Sequence, residues 1–208
     1  SSDTLGNLID NLLTVSRIER NIFSIVTKPT DPFPIIKDTI DSMRKTAFTR
    51  KQKLIINASQ ELPVIFADTF RFREVINNLV ENAMTYSPLG SMIMINAEKR
   101  DTFLQVSVID TGPGIPKESM PRLFTKFFRA PGSLEASAKG TGLGLFISKT
   151  IIELHKGKIW VESEQGKGAT FTFIVPIATP QSIAQYQQEA ETAPLTVKNG
   201  KGIIIRNI

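Results

Sequence analysis

The sequence has no cysteine and a single histidine, His155, among its 208 residues. The lack of cysteine excludes a disulfide frame and a thiolate metal site, and it fits a reducing compartment. A histidine-based metal site or a Ser-His-Asp triad would depend on His155 alone. No apolar run approaches the roughly 18 residues that a membrane-spanning helix needs, and no signal peptide opens the chain. We therefore expect this chain to make no membrane contact.

The sequence also lacks a strong excess of either charge, because the net charge is only +5 and no long basic block occurs. Such a surplus suits an anionic ligand or an acidic partner, and it is too weak to indicate a nucleic-acid partner. With 41% hydrophobic and 22% charged residues, the composition is that of an ordinary globular protein. The length allows one good domain with additional segments.

The stretch from Thr69 to Pro88 predicts the helix around which the chain is organised. Asn78 and Asn82 lie one turn apart at the edge of its apolar face, and a carboxamide at the rim of a core is costly unless it has partners. A plain alternative is a pair of solvent-exposed asparagines. The apolar face forms one continuous arc at about 100° per residue, made of Phe72, Val75, Ile76, Leu79, Val80, Ala83 and Tyr86.

The segments before this helix predict two more helices and three short strands. Residues 3–22 are dense in leucine and isoleucine at helical spacing, so this helix needs a partner from another chain or from an upstream segment. We predict a strand over Phe23–Lys28, a second amphipathic helix over Ile35–Phe48, and strands over Leu54–Asn57 and Val64–Ala67.

The segments after the helix predict two antiparallel strand pairs. Ser91–Glu98 pairs with Phe103–Asp110, and Lys158–Glu164 forms a hairpin with Ala169–Pro176. Strand alternation places Asp110 on the same face as the apolar residues of its strand. A carboxylate in such a position requires a specific partner.

The remaining segments predict a short amphipathic segment, a loop, a helix and a tail. Arg122–Arg129 is a short amphipathic segment, and Ala130–Lys139 has the composition of a mobile loop. The glycine run from Gly140 leads into a helix that ends near Lys156. From Ile177 onwards we expect a linker or tail, with a possible strand over Gly202–Arg206.

Three polar or glycine-rich motifs carry candidate chemistry. The glycines at 140, 142 and 144 let backbone amides approach a phosphate chain at the positive end of the following helix. Asp110 could accept a hydrogen bond from an adenine amine. Asn82 offers a neutral oxygen of the kind that Mg²⁺ binds, and Asn78 would meet the phosphates or a metal-bound water. The glycine run alone is weak evidence, because its spacing matches neither a Walker loop nor a dinucleotide fingerprint.

Four motifs in order resemble the ATP-binding catalytic domain of sensor histidine kinases. This domain belongs to a superfamily that also holds gyrase, a heat-shock chaperone and mismatch-repair ATPases. The segments NLVENAMTYSP, DTGPGIP, LFTKFFR and KGTGLGL resemble its N, G1, F and G2 boxes. The match covers roughly Asn21–Pro176. It implies an α+β fold, a two-layer sandwich in which a mixed, mostly antiparallel sheet carries helices on one face and a mobile ATP lid.

The resemblance implies a role for individual residues of the site. It places Asn82 on Mg²⁺, Asn78 near the phosphates, Tyr86 against the purine and Asp110 on the adenine amino group. Arg129 would reach the γ-phosphate, and Asn78 and Arg129 would be the catalytic residues. Thr85 stands where the family often has a basic residue. Other positions that the resemblance implies for the nucleotide site are Gly112, Gly114, Ile115, Lys126, Gly140, Thr141, Gly142, Leu143, Gly144, Leu145 and Thr170.

The residue at position 78 favours transfer of the γ-phosphoryl group of ATP to a side chain over hydrolysis of ATP by water. The hydrolases of this superfamily have a glutamate there, whereas the Asn78 amide cannot accept a proton at neutral pH. The resemblance therefore implies a kinase that phosphorylates a histidine. The acceptor histidine is expected on a helix not present in this chain, and a response regulator receiver domain is the expected onward partner. A structural role at a helix end is expected for His155.

The resemblance also implies a domain organisation and a setting. Residues 1–22 would be the end of a helical hairpin through which the full-length protein dimerises. Residues 23–177 would be the ATP-binding domain, and residues 178–208 a linker or tail. We expect a cytoplasmic chain, conceivably the cytoplasmic part of a membrane-anchored sensor. Two alternatives stay open, which are a protein-serine kinase of the anti-sigma type and a non-catalytic nucleotide-binding scaffold.

Overall fold

The computed structural model describes residues 2–131, 140–192, 195–199 and 202–206, with side chains for 5–131 and 140–192. It divides into two compact units, Ser1–Ile177 and Ala178–Ile208. In the first unit, the helices are α1 (Ser2–Glu19), α2 (Pro32–Thr49), α3 (Thr69–Tyr86) and α4 (Gly144–Leu154). Its strands are β1 (Lys28–Thr30), β2 (Lys53–Ala58), β3 (Ile65–Ala67), β4 (Met92–Arg100), β5 (Phe103–Ile109), β6 (Lys158–Ser163) and β7 (Ala169–Pro176).

A five-stranded sheet in the order β2-β4-β5-β7-β6 forms one layer of this unit. Only the β2–β4 pair is parallel, whereas β4–β5, β5–β7 and β6–β7 are antiparallel. The inward residues of β5, Leu104, Val106 and Val108, are buried, as alternation along the strand requires. Helices α2, α3 and α4 contact one face of this sheet. The expected α+β sandwich with a mixed, mostly antiparallel sheet is therefore confirmed.

The two central helices begin at aspartate caps. Asp68 accepts a hydrogen bond from the Arg71 backbone N–H at the start of α3, and Asp31 accepts one from Phe33 at the start of α2. Because proline is well suited to the first turn of a helix, α2 begins at Pro32, earlier than the predicted Ile35. The predicted extent of α3 is confirmed to within two residues at its end.

One prediction of secondary structure is wrong. Phe23–Lys28 is not a strand, since the extended pairing begins only at Lys28 and joins β1 to β3. The amphipathic segment Arg122–Arg129 does not form a regular helix. A single turn of 3₁₀ helix, Met120–Arg122, is followed by irregular turns. The Phe127 backbone has a φ of +61°, which an α-helix does not accommodate. The predicted mobile loop falls largely on residues 132–139, outside the described residues.

Helix α1 buries only part of its leucine-rich surface in this chain. Val15 is buried in the core, where α1 contacts α4. Much of its apolar surface nevertheless remains open to solvent in this chain, at Leu5, Ile9, Leu12 and Leu13. Among the described residues, every helix is too short or too polar to cross a lipid bilayer.

The second unit contains more structure than the sequence indicated. A helix α5 (Pro180–Thr192) is followed by an antiparallel pair, β8 (Leu195–Asn199) and β9 (Gly202–Arg206). The predicted strand at the end of the chain is confirmed, but α5 was not predicted. The reason is that α5 buries none of its residues, so its sequence lacks an apolar stripe of the usual width.

Candidate functional site

Helix α3 spans the site, because its middle and its C-terminal end meet different loops. Asn78 lies beside Gly144 at the start of α4, and the Tyr86 carbonyl lies beside Gly112 in the loop after β5. Eight residues of α-helix separate Asn78 from Tyr86, a rise of about 12 Å. The structure therefore arranges a glycine-rich loop, two asparagines and a buried carboxylate along one helix.

Asp110 is the buried carboxylate at the Tyr86 end. Its side chain is only 6% exposed, and Oδ1 accepts hydrogen bonds from the backbone N–H groups of Gly112 at 2.8 Å and Ala169 at 3.2 Å. Burial raises the pKa of Asp110, and these two N–H donors oppose that rise. Both bonds fall on Oδ1, so Oδ2 can accept a hydrogen bond from a ligand. The prediction that Asp110 faces inward is confirmed.

Two glycines let the loop after β5 approach its neighbours closely. A Cβ added at Gly112 would lie 2.9 Å from Asp110 Oδ1 and 3.0 Å from the Tyr86 carbonyl oxygen. Gly114 has a φ of +71°, and a Cβ there would lie 2.1 Å from the Glu164 carbonyl oxygen. Any larger residue would therefore push this loop away from the end of α3. The next residue, Ile115, donates its backbone N–H to Ser163 Oγ at 2.9 Å.

The start of α4 forms the other end of the site. Its N-cap residue is Leu143, which is fully buried and makes no side-chain hydrogen bond to the helix. The backbone N–H groups of a first helical turn have no partners within the helix. In α2 and α3 an aspartate satisfies one of them. At α4 the uncapped amides and the positive end of the helix dipole are therefore arranged for an anion.

Asn78 is held at this uncapped helix start. Its Nδ2 donates a hydrogen bond to Ser148 Oγ at 2.9 Å. A Cβ added at Gly144 would lie 2.2 Å from Asn78 Oδ1, so this amide oxygen lies against the glycine. Ser148 is 2% exposed. Ser148 was not predicted from the sequence, although it is the one polar residue on the apolar face of α4 that also carries Ile147 and Ile151.

The donor set here suits Mg²⁺ better than a softer metal ion. Asn78 and Asn82 contribute neutral amide oxygens one turn apart, and both side chains are half-buried. Within the described residues, no group of three or more histidine, cysteine, aspartate or glutamate side chains is arranged to hold a metal. Mg²⁺ takes oxygen ligands and retains waters and substrate phosphates in its shell. The residues therefore fit a magnesium ion that arrives with a phosphate ligand.

Arg129 lies next to the glycine run. Its guanidinium carbon is 3.7 Å from the position of a Cβ added at Gly140. The loop is also tied to the preceding segment, since Phe127 donates its N–H to the Gly142 carbonyl at 2.9 Å. Gly142 has a φ of +70°, and a Cβ there would lie 2.8 Å from the Phe127 carbonyl carbon. The structure thus brings Arg129 beside Gly140, the first glycine of the run.

Thr141 and Leu145 stabilise the glycine run. Thr141 Oγ1 accepts the backbone N–H of Leu143 at 3.2 Å. The side chain of Leu145 is partly buried against the core. These two side chains therefore support the segment, and its glycines leave the backbone accessible to a ligand.

Two residues expected in the site lie elsewhere. Lys126 forms an ion pair with Glu19 of α1, and its Nζ lies 5.6 Å from the centroid of the Phe146 ring. Thr170 is in register with Ile109. Strand alternation turns its side chain to the sheet face opposite that of Asp110 and the buried Ala169. The structure does not bring either residue to the Asp110 and Asn78 positions.

A cavity of about 530 Å³ opens beside Asn78, between α1 and the α3–α4 pair. Asn78, Gly144 and Ser148 form part of its wall, and α1 contributes Asp10 and Arg17. The uncapped start of α4 is therefore continuous with a polar cleft that faces α1.

Comparison with known families identifies the region that carries this site. The family described as histidine kinase-, DNA gyrase B-, and HSP90-like ATPase matches residues 67–179. A curated relative, the adaptive-response sensory kinase SasA of Thermosynechococcus vestitus, is 34% identical over 177 residues. That match covers 85% of this chain and 46% of the relative. The chain thus spans about half the length of this relative.

Solved structures show the same fold. The full-length kinase ShkA in complex with AMPPNP matches with a TM-score of 0.74 and 28% identity, over 85% of this chain and 36% of that one. The catalytic domain of the histidine kinase ThkA is 30% identical, with a TM-score of 0.66, over 76% of this chain and 99% of that one. ThkA in complex with the response regulator protein TrrA matches at 25% identity and a TM-score of 0.67, over 84% of this chain and 49% of that one.

Proposed function

The chain belongs to the histidine kinase-, DNA gyrase B- and HSP90-like ATPase family, and we propose that it binds Mg·ATP and transfers the γ-phosphoryl group to a histidine. The observation that carries the proposal is the arrangement along α3. A buried carboxylate, Asp110, lies at one end, and an uncapped helix start beside Asn78 lies at the other. A nucleoside triphosphate fits this arrangement, because its purine can bind to the carboxylate and its phosphates to the helix start.

The adenine binds at the Asp110 end. The Asp110 carboxylate accepts a hydrogen bond from the adenine amine, because its own two N–H donors fall on a single oxygen. The Tyr86 ring packs against the purine, and the glycines at 112 and 114 let the loop backbone approach it. The triphosphate extends along α3 to the amides of Gly144 and the following residues. Arg129 lies where it can contact the terminal phosphate.

Asn82 and Asn78 hold the magnesium ion that accompanies the phosphates. When bound, this ion supplies positive charge that offsets the charge of the phosphate oxygens. Asn82 contributes its amide oxygen as a ligand, and Asn78 presents Oδ1 beside Gly144. The role of these residues is to fix where the terminal phosphate lies relative to Arg129 and the start of α4.

Transfer to a histidine is favoured over hydrolysis by the residue at position 78. An amide cannot accept a proton from water at neutral pH, and the Asn78 Nδ2 already donates to Ser148. An imidazole nitrogen of the acceptor is a better nucleophile than water. Its bond to phosphorus forms as the bond to the leaving ADP oxygen breaks, and the imidazole proton passes to a base outside this site. Asn78 and Arg129 position the phosphoryl group for this transfer.

The acceptor and the onward partner belong to the larger protein. We place the acceptor histidine on a helical hairpin that dimerises through α1, whose Leu5, Ile9, Leu12 and Leu13 are 42–60% exposed. A response regulator receiver domain then takes the phosphoryl group, as the solved ThkA–TrrA complex suggests. Because ATP and such partners occur in the cytoplasm, we expect the domain to act there.

Calorimetry with the present chain tests the nucleotide site. We expect ATP to bind in Mg²⁺ and Asn82→Ala to reduce that affinity by at least about tenfold, since it removes a metal ligand. Asn77→Ala is the matched control, because it changes a neighbouring amide on the same helix. Equal affinities for the wild type and Asn82→Ala would contradict the site assignment.

The phosphorylated product tests the reaction. Incubation of the full-length protein with γ-labelled ATP is expected to give an acid-labile, base-stable label, as phosphohistidine does. An acid-stable label would favour a protein-serine kinase instead. Nucleotide binding with no labelled protein would favour a non-catalytic scaffold.

A further inference from the structure

The contact between Asn78 and Ser148 fixes the direction of the Asn78 amide. The Asn78 Nδ2 donates to Ser148 Oγ at 2.9 Å, while Oδ1 lies against Gly144, 2.2 Å from the position of a Cβ there. The reverse orientation would press amide hydrogens against the Gly144 methylene group. An oxygen against a Cα–H group is the more favourable arrangement. The geometry therefore turns the acceptor oxygen of Asn78 to the start of α4 and holds one of its two N–H donors on Ser148.

An amide fixed in this way discriminates between possible ligands. Phosphate oxygens are acceptors and need donors, whereas a cation or a cation-bound water needs an oxygen. The backbone amides of α4 already supply the donors. We therefore propose that Ser148 is a positioning residue that turns the Asn78 oxygen toward the metal or its water and away from the phosphates. This inference rests on the proposed function.

The environment of Ser148 supports a dedicated role for its hydroxyl group. Ser148 is 2% exposed, and its helical neighbours Ile147 and Ile151 are buried apolar residues of the core. A buried hydroxyl group costs free energy unless it is hydrogen-bonded. Because Ser148 and Asn78 belong to different helices, their bond also sets how α3 lies against α4 at the site.

The test compares ATP affinity with and without metal. Calorimetry is run with ATP in excess Mg²⁺ and with ATP in excess EDTA, for the wild type and for Ser148→Ala. We expect the affinity in EDTA to be unchanged, because adenine and backbone contacts remain. The extra affinity that Mg²⁺ gives should fall about fivefold, the factor that corresponds to a neutral hydrogen bond of about 1 kcal/mol.

A buried serine elsewhere provides the matched control. Ser107 Oγ is hydrogen-bonded to Thr172 Oγ1 at 2.9 Å on the sheet, and its residue is 7% exposed. Ser107→Ala removes a comparable buried hydroxyl group and should leave the Mg²⁺-dependent gain as in the wild type. The double variant Asn78→Ala/Ser148→Ala should lose no more of that gain than Asn78→Ala alone, because Ser148 acts through Asn78.

A second measurement needs no ligand. In ¹H–¹⁵N spectra of the ligand-free protein, the side-chain amide signals of Asn78 should shift in Ser148→Ala and stay in place in Ser107→Ala. A Ser148→Ala variant with the full Mg²⁺-dependent gain, or with an equal loss in Mg²⁺ and in EDTA, would overturn the inference while the proposed function stands. If the wild type bound no ATP, the proposed function and this inference would both fail.

Discussion

The imidazole Nε2 of His155 accepts a hydrogen bond from the backbone N–H of Asp68 at 3.0 Å. His155 is the C-cap residue of α4, and Asp68 is the N-cap residue of α3. The other ring nitrogen, Nδ1, lies 2.8 Å from the Ile151 carbonyl oxygen. The ring is therefore neutral, with its proton on Nδ1, and it joins the two helices that carry the site. This confirms the structural role expected for His155.

Acidification below pH 6.5 is expected to remove stability that depends on His155. Burial lowers the pKa of His155, with the Ile151 carbonyl and the Asp68 carboxylate opposing the shift. An unfolded histidine takes up its proton near pH 6.5. Below that pH the unfolded state therefore binds more protons, and the stabilisation present above pH 6.5 is lost as the pH falls. Denaturant unfolding should show a slope of at most about 1.4 kcal/mol per pH unit.

The variant His155→Gln is the control for this pH dependence. Its side-chain oxygen could still accept the Asp68 N–H, but it does not titrate. We expect the loss of stability that begins near pH 6.5 to be smaller in this variant by the contribution of His155. The Asp41 carboxylate, whose pKa is lowered by hydrogen bonds from Lys37 and Arg44, affects stability only at more acidic pH. An unchanged slope in His155→Gln would assign the effect to other groups.

Asp110→Asn is expected to separate stability from nucleotide binding. Burial raises the pKa of Asp110, so burying its negative charge costs folding free energy that a neutral asparagine does not cost. Asparagine could still accept both N–H bonds through Oδ1. We therefore expect an unfolding temperature equal to or above that of the wild type, with ATP affinity at least about tenfold lower, as for a lost hydrogen bond to a charged group.

The control for this substitution is Asp101→Asn. Asp101 is exposed and has a φ of +51°, a conformation that asparagine also tolerates. Its ATP affinity should equal that of the wild type. Wild-type affinity in Asp110→Asn, measured by the same calorimetry, would exclude Asp110 as the adenine contact.

Gly144→Ala is expected to impair the phosphate-binding end without unfolding the protein. Alanine favours a helix more than glycine does, but its Cβ would lie 2.2 Å from Asn78 Oδ1. Asn78 would have to leave Ser148, and we expect a loss of ATP affinity of about tenfold or more, measured by calorimetry. Gly6→Ala in α1 is the control, because a Cβ there has no atom within 4 Å. Unchanged affinity in Gly144→Ala would place the phosphates elsewhere.

This chain is expected to bind Mg·ATP without phosphorylating itself. Its only histidine, His155, is 5% exposed, and both ring nitrogens have hydrogen-bond partners. Neither nitrogen is therefore free to attack a phosphorus atom. Incubation with γ-labelled ATP followed by peptide mapping checks this expectation. An acid-labile label on His155 would contradict it.

Much of the fold followed from local pattern. The apolar arc of α3, the alternation that turns Asp110 inward and the two strand pairs depend on spacing along one segment, and the structure confirms them. Segments without a strong apolar pattern were harder to predict from the sequence. The strand at Lys28–Thr30 exists only because it pairs with β3, and α5 has no buried face to reveal it.

The sequence by itself determined which chemical groups are present, namely the paired amides of α3, the inward Asp110 carboxylate and the glycines before α4. Their spacing along the chain fixes which helix or strand carries each group. Only the tertiary structure decided which groups meet. The bonds from Asn78 to Ser148 and from Asp68 to His155 span 70 and 87 residues, and Lys126 is drawn to Glu19 on α1. Such contacts depend on how helices pack on the sheet, and no local periodicity encodes that packing.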